Sequence, residues 1–348
     1  MTSNFVQQPE HIKNIIDEVR INTSVKKGII SLSGGVDSMI LSYILKYIGI
    51  DIIAVHINYN NRPECKNECD ILRQWCNFLG IKLYIRKIVE IQRSEMMEYN
   101  MRELYETYTR DIRFNTYINA EKNSDINVFL GHNHDDQFEN IFTNIVSQSH
   151  SNNLCGMEIQ SNIQFKSDTI NFIRPMLNIQ KKDIYKFASY FSILHFKDST
   201  PSWSQRGKIR DIIRPSIEEW DKRAIPSFFN LSHKLTDLTN ISQMYTDLLY
   251  RNIIDNNKEL EVDLNNLYPK ILFEMIFNKM EIKITQKSLT AFYEKLIFIK
   301  KNKQKFEINS IQKYRLNKDI VIKWKNILSS KIILDFNCYR KVHYLSLA

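Results

Sequence analysis

A chain of 348 residues with 43% apolar side chains has the length for two domains and enough apolar surface for a sizeable core. There is no run of about 18 apolar residues, residues 1–13 carry no apolar leader segment, and five cysteines without framework spacing exclude a disulfide-stapled secreted scaffold; a cytoplasmic protein with no membrane partner is expected. The net charge of +9 is unevenly placed: residues 226–348 hold 20 Lys and Arg against 12 Asp and Glu, a net of +8.

Apolar runs of strand length alternate with helix-period segments up to about residue 145. Strands are predicted at 28–32, 51–58, 82–89 and 126–130, and helices near 36–48, 64–79, 95–122 and 136–147. This alternation predicts an α/β fold, a doubly wound parallel sheet with helices on both faces. In such sheets ligands lie beyond the carboxyl ends of strands, near the topological switch point. A short apolar run at 172–177, a helix at 180–191 and helical character at 206–220 follow. A boundary at Ala224-Ile225-Pro226 separates domain 1–225 from domain 226–348. The second is smaller and mainly helical, with small strands suggested at 306–308 and 320–322. Its densest basic cluster is Lys300, Lys301, Lys303 and Lys305. A solvated helix face accounts for it, and so does contact with a nucleic-acid backbone.

Between the first strand and its helix stands Ser33-Gly34-Gly35-Val36-Asp37-Ser38. A strand, a glycine turn and a helix start aim backbone N–H groups at one spot, which suits a phosphate. Two glycines allow close approach, and the serines add hydroxyl donors. Asp37 repels an anion unless a Mg²⁺ sits between them. No lysine follows the glycines, so this is not a Walker loop.

After the fourth strand comes Gly131-His132-Asn133-His134-Asp135-Asp136-Gln137-Phe138-Glu139-Asn140. Asp136 and Glu139 share a helix face. By spacing alone they either complement the helix N-terminus or bind a cation, whether a metal or the ammonium of an amine. Cys65 and Cys69 share a face of a probable helix with no second pair to complete a zinc site, which favours packing.

The turn resembles the SGGxDS loop of the ATP pyrophosphatase (PP-loop) superfamily, and the 131–140 segment resembles the G-H-H-x-D-D-Q-x-E-T signature of tRNA(Ile)-lysidine synthetases within it. Ala54-Val55-His56-Ile57-Asn58 through Glu64, Arg110-Asp111-Ile112-Arg113-Phe114, Leu154-Cys155-Gly156-Met157, Ile173-Arg174-Pro175-Met176-Leu177 and Arg206-Gly207-Lys208-Ile209-Arg210 with Pro215 are similar to further family motifs in the same order. The likeness covers about residues 26–220. Three segments depart from the pattern: Asn133-His134, Tyr59-Asn60, and 198–206, which is about two residues short. The resemblance implies a PP-loop fold of the adenine nucleotide α-hydrolase type. It implies a ligase that uses ATP and Mg²⁺ to adenylate the wobble cytidine of an isoleucine tRNA and joins lysine to it, releasing AMP and pyrophosphate. Carried over, Ser33, Gly34, Gly35, Val36 and Ser38 hold pyrophosphate, with His56, Gly131 and His132 also at the nucleotide, and Asp37 holds Mg²⁺. Asp136 and Glu139 bind the amine, and Arg206 and Arg210 contact phosphates or RNA. Asp37, Asp136, Glu139 and Arg113 form the catalytic set.

Three other readings compete. A tRNA thiolase of the same superfamily usually needs C-x-x-C pairs, which this chain lacks; Cys155 is the one cysteine near the expected site. A ligase for another amine or base fits the same loop. A non-catalytic RNA-binding protein of this fold has no need of Asp37, Asp136 and Glu139. Trp203 either stacks on a base or packs.

Overall fold

In the computed structural model the chain divides into two compact units, residues 1–233 and 234–348. The structure describes residues 9–60, 65–91, 96, 101–121, 125–147, 156–196, 204–256, 258–282, 284–301, 311–315, 321–328 and 331–336. Lys303, Lys305, the 306–308 segment, Cys155 and Trp203 lie outside them.

The first unit runs α1 (Glu10–Ile21), β1 (Lys27–Ser31), α2 (Val36–Tyr47), β2 (Asp51–Asn58), α3 (Cys65–Leu79), β3 (Lys82–Lys87), α4 (Arg102–Ala120), β4 (Asp125–Phe129) and α5 (His134–Val146). Then come β5 (Gln160–Phe165), β6 (Asp168–Ile173) and α6 (Lys181–Tyr190). The strands form one sheet in the order β3-β2-β1-β4-β6-β5. Neighbours pair in parallel except the β5–β6 hairpin. This is the doubly wound sheet that the sequence predicts.

Both faces of the sheet are covered, so its strands read as continuous apolar runs rather than alternations. Side chains still alternate between faces. Ile30, Leu32, Ile52 and Ala54 pack with α1, α2 and α6 on one side. Ile29, Val55, Val128 and Ile170 pack with Phe114 and Tyr117 of α4 on the other. The three described cysteines of α3 are buried. Asn58 Nδ2 donates to Cys69 Sγ at 3.2 Å, and burial pushes the Cys76 thiol up to about 12. Packing is therefore what these cysteines do.

The hairpin at the sheet edge differs from the sequence reading. The run expected at 172–177 is a strand at Asp168–Ile173, ended by Arg174 and Pro175, because proline gives the ladder no donor. Its partner β5 is not predicted at all: Gln160-Ser161-Asn162-Ile163-Gln164-Phe165 is a mostly exposed antiparallel edge with little apolar pattern to read.

The chain continues through α7 (Gln205–Lys208), a π-helical turn (Ile209–Ile213), α8 (Arg214–Trp220) and α9 (Ala224–Asp255). Pro215 at the start of α8 lacks an N–H, which breaks the regular ladder where the π turn stands. The expected boundary at 225/226 falls inside α9.

The second unit holds α10 (Lys270–Lys279) and α11 (Gln286–Lys301) with β7 (Glu259–Asp263), β8 (Ile311–Arg315), β9 (Val321–Leu328) and β10 (Lys331–Asp335). Its strands form an antiparallel sheet ordered β7-β10-β9-β8. Phe273, Ile276, Phe277, Leu289, Phe292 and Leu296 of the two helices close its core with Val262 and Leu334.

The turn after β1 depends on one residue in the left-handed region. Gly34 has φ +87°, and a Cβ there would lie 2.4 Å from the Phe196 ring. The Gly34 carbonyl also accepts a hydrogen bond from Phe196 N at 2.9 Å, so the turn cannot easily step away. Gly34→Ala is expected to cost about 1–3 kcal/mol, read as a lower denaturation midpoint in urea.

Candidate functional site

β1 lies between β2 and β4, so the chain leaves β1 and β4 at the point where strand order reverses. The turn 33–38 follows one strand and residues 131–136 follow the other. They meet closely: a Cβ on Gly131 would lie 3.1 Å from Asp37 C, Asp37 Cβ and Ser38 N. Beyond this contact opens a cavity of about 610 Å³. Ser33, Gly35, Val36, Asp37 and Ser38 form one wall, and Gly131, His132, Asp136 and Glu139 another.

The turn is built around one hydroxyl. Ser38 Oγ accepts from the backbone N–H groups of Ser33 and Gly34, each at 3.2 Å, and donates to Gly35 O at 3.1 Å. Ser33 Oγ accepts from Gly35 N at 3.3 Å. Three consecutive N–H groups are thus held by two serine hydroxyls, which fixes the turn beside the N-terminus of α2, a helix start that suits an anion.

Asp37 sits in the first turn of α2 with both oxygens engaged. Asn133 Nδ2 donates to Oδ1 at 3.0 Å, and Lys181 Nζ lies 2.5 Å from Oδ2. Burial pushes its carboxyl above the usual range, while the Lys181 charge pulls it back.

Asn133 organises the other wall. It is the N-cap of α5, with its Oδ1 accepting from Asp135 N at 2.8 Å and Asp136 N at 3.4 Å, while Asp136 Oδ2 accepts from Asn133 N at 3.0 Å. This reciprocal capping box fixes the first turn of α5. Asp136 and Glu139 then face one cation together. Arg206 Nη2 is 2.5 Å from Asp136 Oδ1, and Arg206 Nε is 2.6 Å from Glu139 Oε2. Glu139 is 7% exposed and Asp136 19%, whereas Arg206 keeps 58% of its side chain exposed. Burial raises the Glu139 carboxyl above its ordinary value, opposed by Arg206. The segment carrying Arg206 is held by Phe138 of α5, which packs with Ile209 and Ile225.

The cavity gathers most of the residues that the sequence nominates. Arg113, Arg206 and Arg210 line it as well. His56 stands apart: it is 5% exposed and is not among the lining residues. Its Nδ1 donates to Leu32 O at 2.8 Å, so it braces the end of β1 from behind. Gly34 shapes the turn without lining the cavity. Several lining residues were not nominated from the sequence, among them Tyr117, Arg174, Lys181 and Tyr185. Tyr117 donates to Ser31 Oγ at 2.8 Å. Arg174 lies in the Ile173–Leu177 motif quoted above, whereas Lys181 opens a helix with no motif around it.

His132 lines the cavity with its Nδ1 enclosed and without a hydrogen-bond partner among the described residues. Burial lowers its pKa to about 4, Asp136 opposes this, and Arg174, Arg206 and Arg113 reinforce it. The folded value lies below the ordinary 6.5, so between the two the unfolded chain binds more protons and stability falls as pH drops. Replacing His132 with Gln removes this titration. The parent protein is expected to lose more stability than His132→Gln between about pH 6.5 and 4, measured as urea midpoints across that range.

Comparison with known proteins agrees with this geometry. Residues 5–219 match the PP-loop domain family model. The chain is 27% identical over 310 residues to a tRNA(Ile)-lysidine synthase of Malacoplasma penetrans, covering 87% of this chain and 98% of that protein. It is 32% identical over 218 residues to the Borreliella afzelii enzyme of the same name, covering 60% and 47%. Among solved structures, a U34-tRNA thiolase from Methanococcus maripaludis aligns with TM-score 0.51 at 19% identity, covering 65% of this chain and 80% of that one, a likeness of fold. With the glycine turn, the capped carboxylate pair and the arginine segment in one cavity, the chain belongs to the tRNA(Ile)-lysidine synthetase family of the PP-loop ATP pyrophosphatases.

Proposed function

We infer that the protein is an ATP-dependent tRNA-modifying ligase that splits ATP to AMP and pyrophosphate and joins lysine to the wobble cytidine of an isoleucine tRNA in the cytoplasm. One observation carries the reading at the level of chemistry. Two carboxylates three residues apart, Asp136 and Glu139, lie within 2.6 Å of a single nitrogen cation on the wall of a cavity opened by a phosphate-type turn. The pair is a cation receptor next to an anion receptor, as joining an amine through a nucleotide requires.

In this reading the cytosine O2 forms a bond to the α-phosphorus of ATP, the bridging P–O bond breaks, and pyrophosphate leaves toward the turn. The N-terminus of α2 at Val36, Asp37 and Ser38, with the Ser33 and Ser38 hydroxyls on the same cavity wall, offsets the charge that grows on the leaving group. The lysine amine then bonds to C2, the C2–O bond breaks, and AMP departs with that oxygen. The proton lost by the amine passes to a carboxylate of the pair and on to solvent. Asp136 and Glu139 orient the amine, which takes the place of Arg206, so the carboxylates stay neutralised throughout. Arg113 and Arg210 line the same cavity and supply positive charge to the phosphates or the RNA.

Asp37 is the oxygen donor that suits Mg²⁺, which binds through one or two carboxylates together with phosphates and water. When bound, that ion neutralises phosphate charge. The net charge of +8 on residues 226–348 supports a role for that part of the chain in RNA affinity; Lys300 and Lys301 are exposed at the end of α11.

Incubating the protein with tRNA, ATP and labelled lysine, followed by nucleoside mass spectrometry, tests the reading directly. Labelled lysidine with stoichiometric AMP and pyrophosphate is the expected result, and ADP with phosphate would sink it. Asp136→Asn and Glu139→Gln are each expected to raise KM for the amine about ten-fold or more while moving KM for ATP less. Equal losses for both substrates would assign the pair to folding or metal binding.

For the second unit, tRNA affinity should fall steeply between about 50 and 200 mM salt. Changing Lys300, Lys301, Lys303 and Lys305 to Ala should weaken binding and flatten the slope in a filter-binding titration. An unchanged slope would exclude the cluster as an RNA-binding surface.

A further inference from the structure

The turn 33–38 has a charge problem. It offers neutral N–H and hydroxyl donors and one carboxylate, and no lysine or arginine lies between Ser33 and Tyr43. A nucleotide triphosphate or its pyrophosphate brings several negative charges. In Walker loops a lysine following the glycines meets that demand. Here the cation comes from elsewhere in the chain.

Lys181 is the first residue of α6, and its root is held on both sides. Met176, Ile179 and Ile184 around it are buried in the main core. His134 N donates to Ile179 O at 3.0 Å, which ties this segment to the start of α5. The side chain crosses to the cavity, where it is 23% exposed, and Nζ lies 2.5 Å from Asp37 Oδ2. The Tyr185 ring, one turn along α6, lies 5.5 Å from Nζ and steadies the stem. A cation at a helix N-terminus is disfavoured by the helix dipole. Lys181 occupies that position nonetheless and reaches into the turn that binds phosphate in the reading above.

We propose that Lys181 is the phosphate-contacting lysine of this site, delivered to the glycine turn from α6, and that it binds the pyrophosphate portion of the nucleotide. Its pairing with Asp37 marks the position from which it engages the anion. An ammonium there adds a charge-assisted hydrogen bond to the neutral donors of the turn and stays opposite the leaving group as the α–β bond breaks. The inference rests on the turn being the nucleotide site.

The alternative is that Lys181 only neutralises Asp37. Calorimetric titration of the full chain with sodium pyrophosphate in EDTA, so without Mg²⁺, separates the two. Lys181→Met is expected to weaken pyrophosphate binding about ten-fold or more. Lys181→Arg should keep most of the affinity. Asp37→Asn should bind as well as the parent or better, since it removes a like charge. The double variant Lys181→Met/Asp37→Asn has no unpaired carboxylate in the turn and so remains folded if the single variant does not. It should bind about ten-fold or more weaker than Asp37→Asn, because the carboxylate is absent from both and only the ammonium differs. A double variant that binds as tightly as Asp37→Asn, or parental affinity in Lys181→Met itself, would overturn the inference and leave the proposed function standing. A parent protein that binds no pyrophosphate would overturn both.

Discussion

Three carboxylates drawn partly out of water must each meet a positive partner, and the cavity is arranged around that need. Asp37 meets Lys181, and Asp136 with Glu139 meets Arg206. The partners are far apart in sequence, 144 residues in the first pair and 67 to 70 in the second. A carboxylate left alone in such a place protonates or unfolds its surroundings, because burial raises its pKa. The burial-driven rise at Asp37 and Glu139, with the cation opposing it, is that tension made visible. The ion pairs add little to stability where Arg206 is more than half exposed. Their weight is in the site, which holds each carboxylate as an anion ready to trade one cation for another.

The fold brings these groups together with few elements. Strand order reverses on either side of β1, so two loops that are distant in sequence end side by side. The glycine at 131 lets them touch. A small aromatic and aliphatic cluster, Phe138 with Ile209 and Ile225, then seats the Arg206–Arg210 segment against the same helix that carries the carboxylates. Phe138 lies between Asp136 and Glu139 in sequence, so the packing contact and the ionic contact share one helix turn. The π turn at Ile209–Ile213 falls in this segment.

The parallel core was legible because buried strands and amphipathic helices leave long apolar signals. The glycine turn and the carboxylate pair were legible because their chemistry is local: strand, turn, helix and spacing all sit within about ten residues. Lys181 was not, since a lone lysine at the start of an ordinary helix carries no pattern, and only the tertiary path of Pro175 through Ile179 aims it at Asp37. Strands β5 and β7 were missed for a different reason. One is a polar edge, and the other has just two buried positions, Leu260 and Val262, in five residues. His56 differs in another way: its motif suggested a nucleotide contact, and the sheet holds it behind the turn, bonded to Leu32 O.

Asn133 stands at the place of a histidine in the signature that residues 131–140 resemble, and its amide bonds to Asp37, Asp135 and Asp136 at once. An amide has no proton to gain or lose between pH 5 and 8, whereas an imidazole in that place would. The bridge between the phosphate turn and the carboxylate helix therefore keeps one charge state as anions and cations come and go. The Asn133 amide itself therefore takes no part in proton traffic across the physiological range, and the link between the two walls does not depend on its charge.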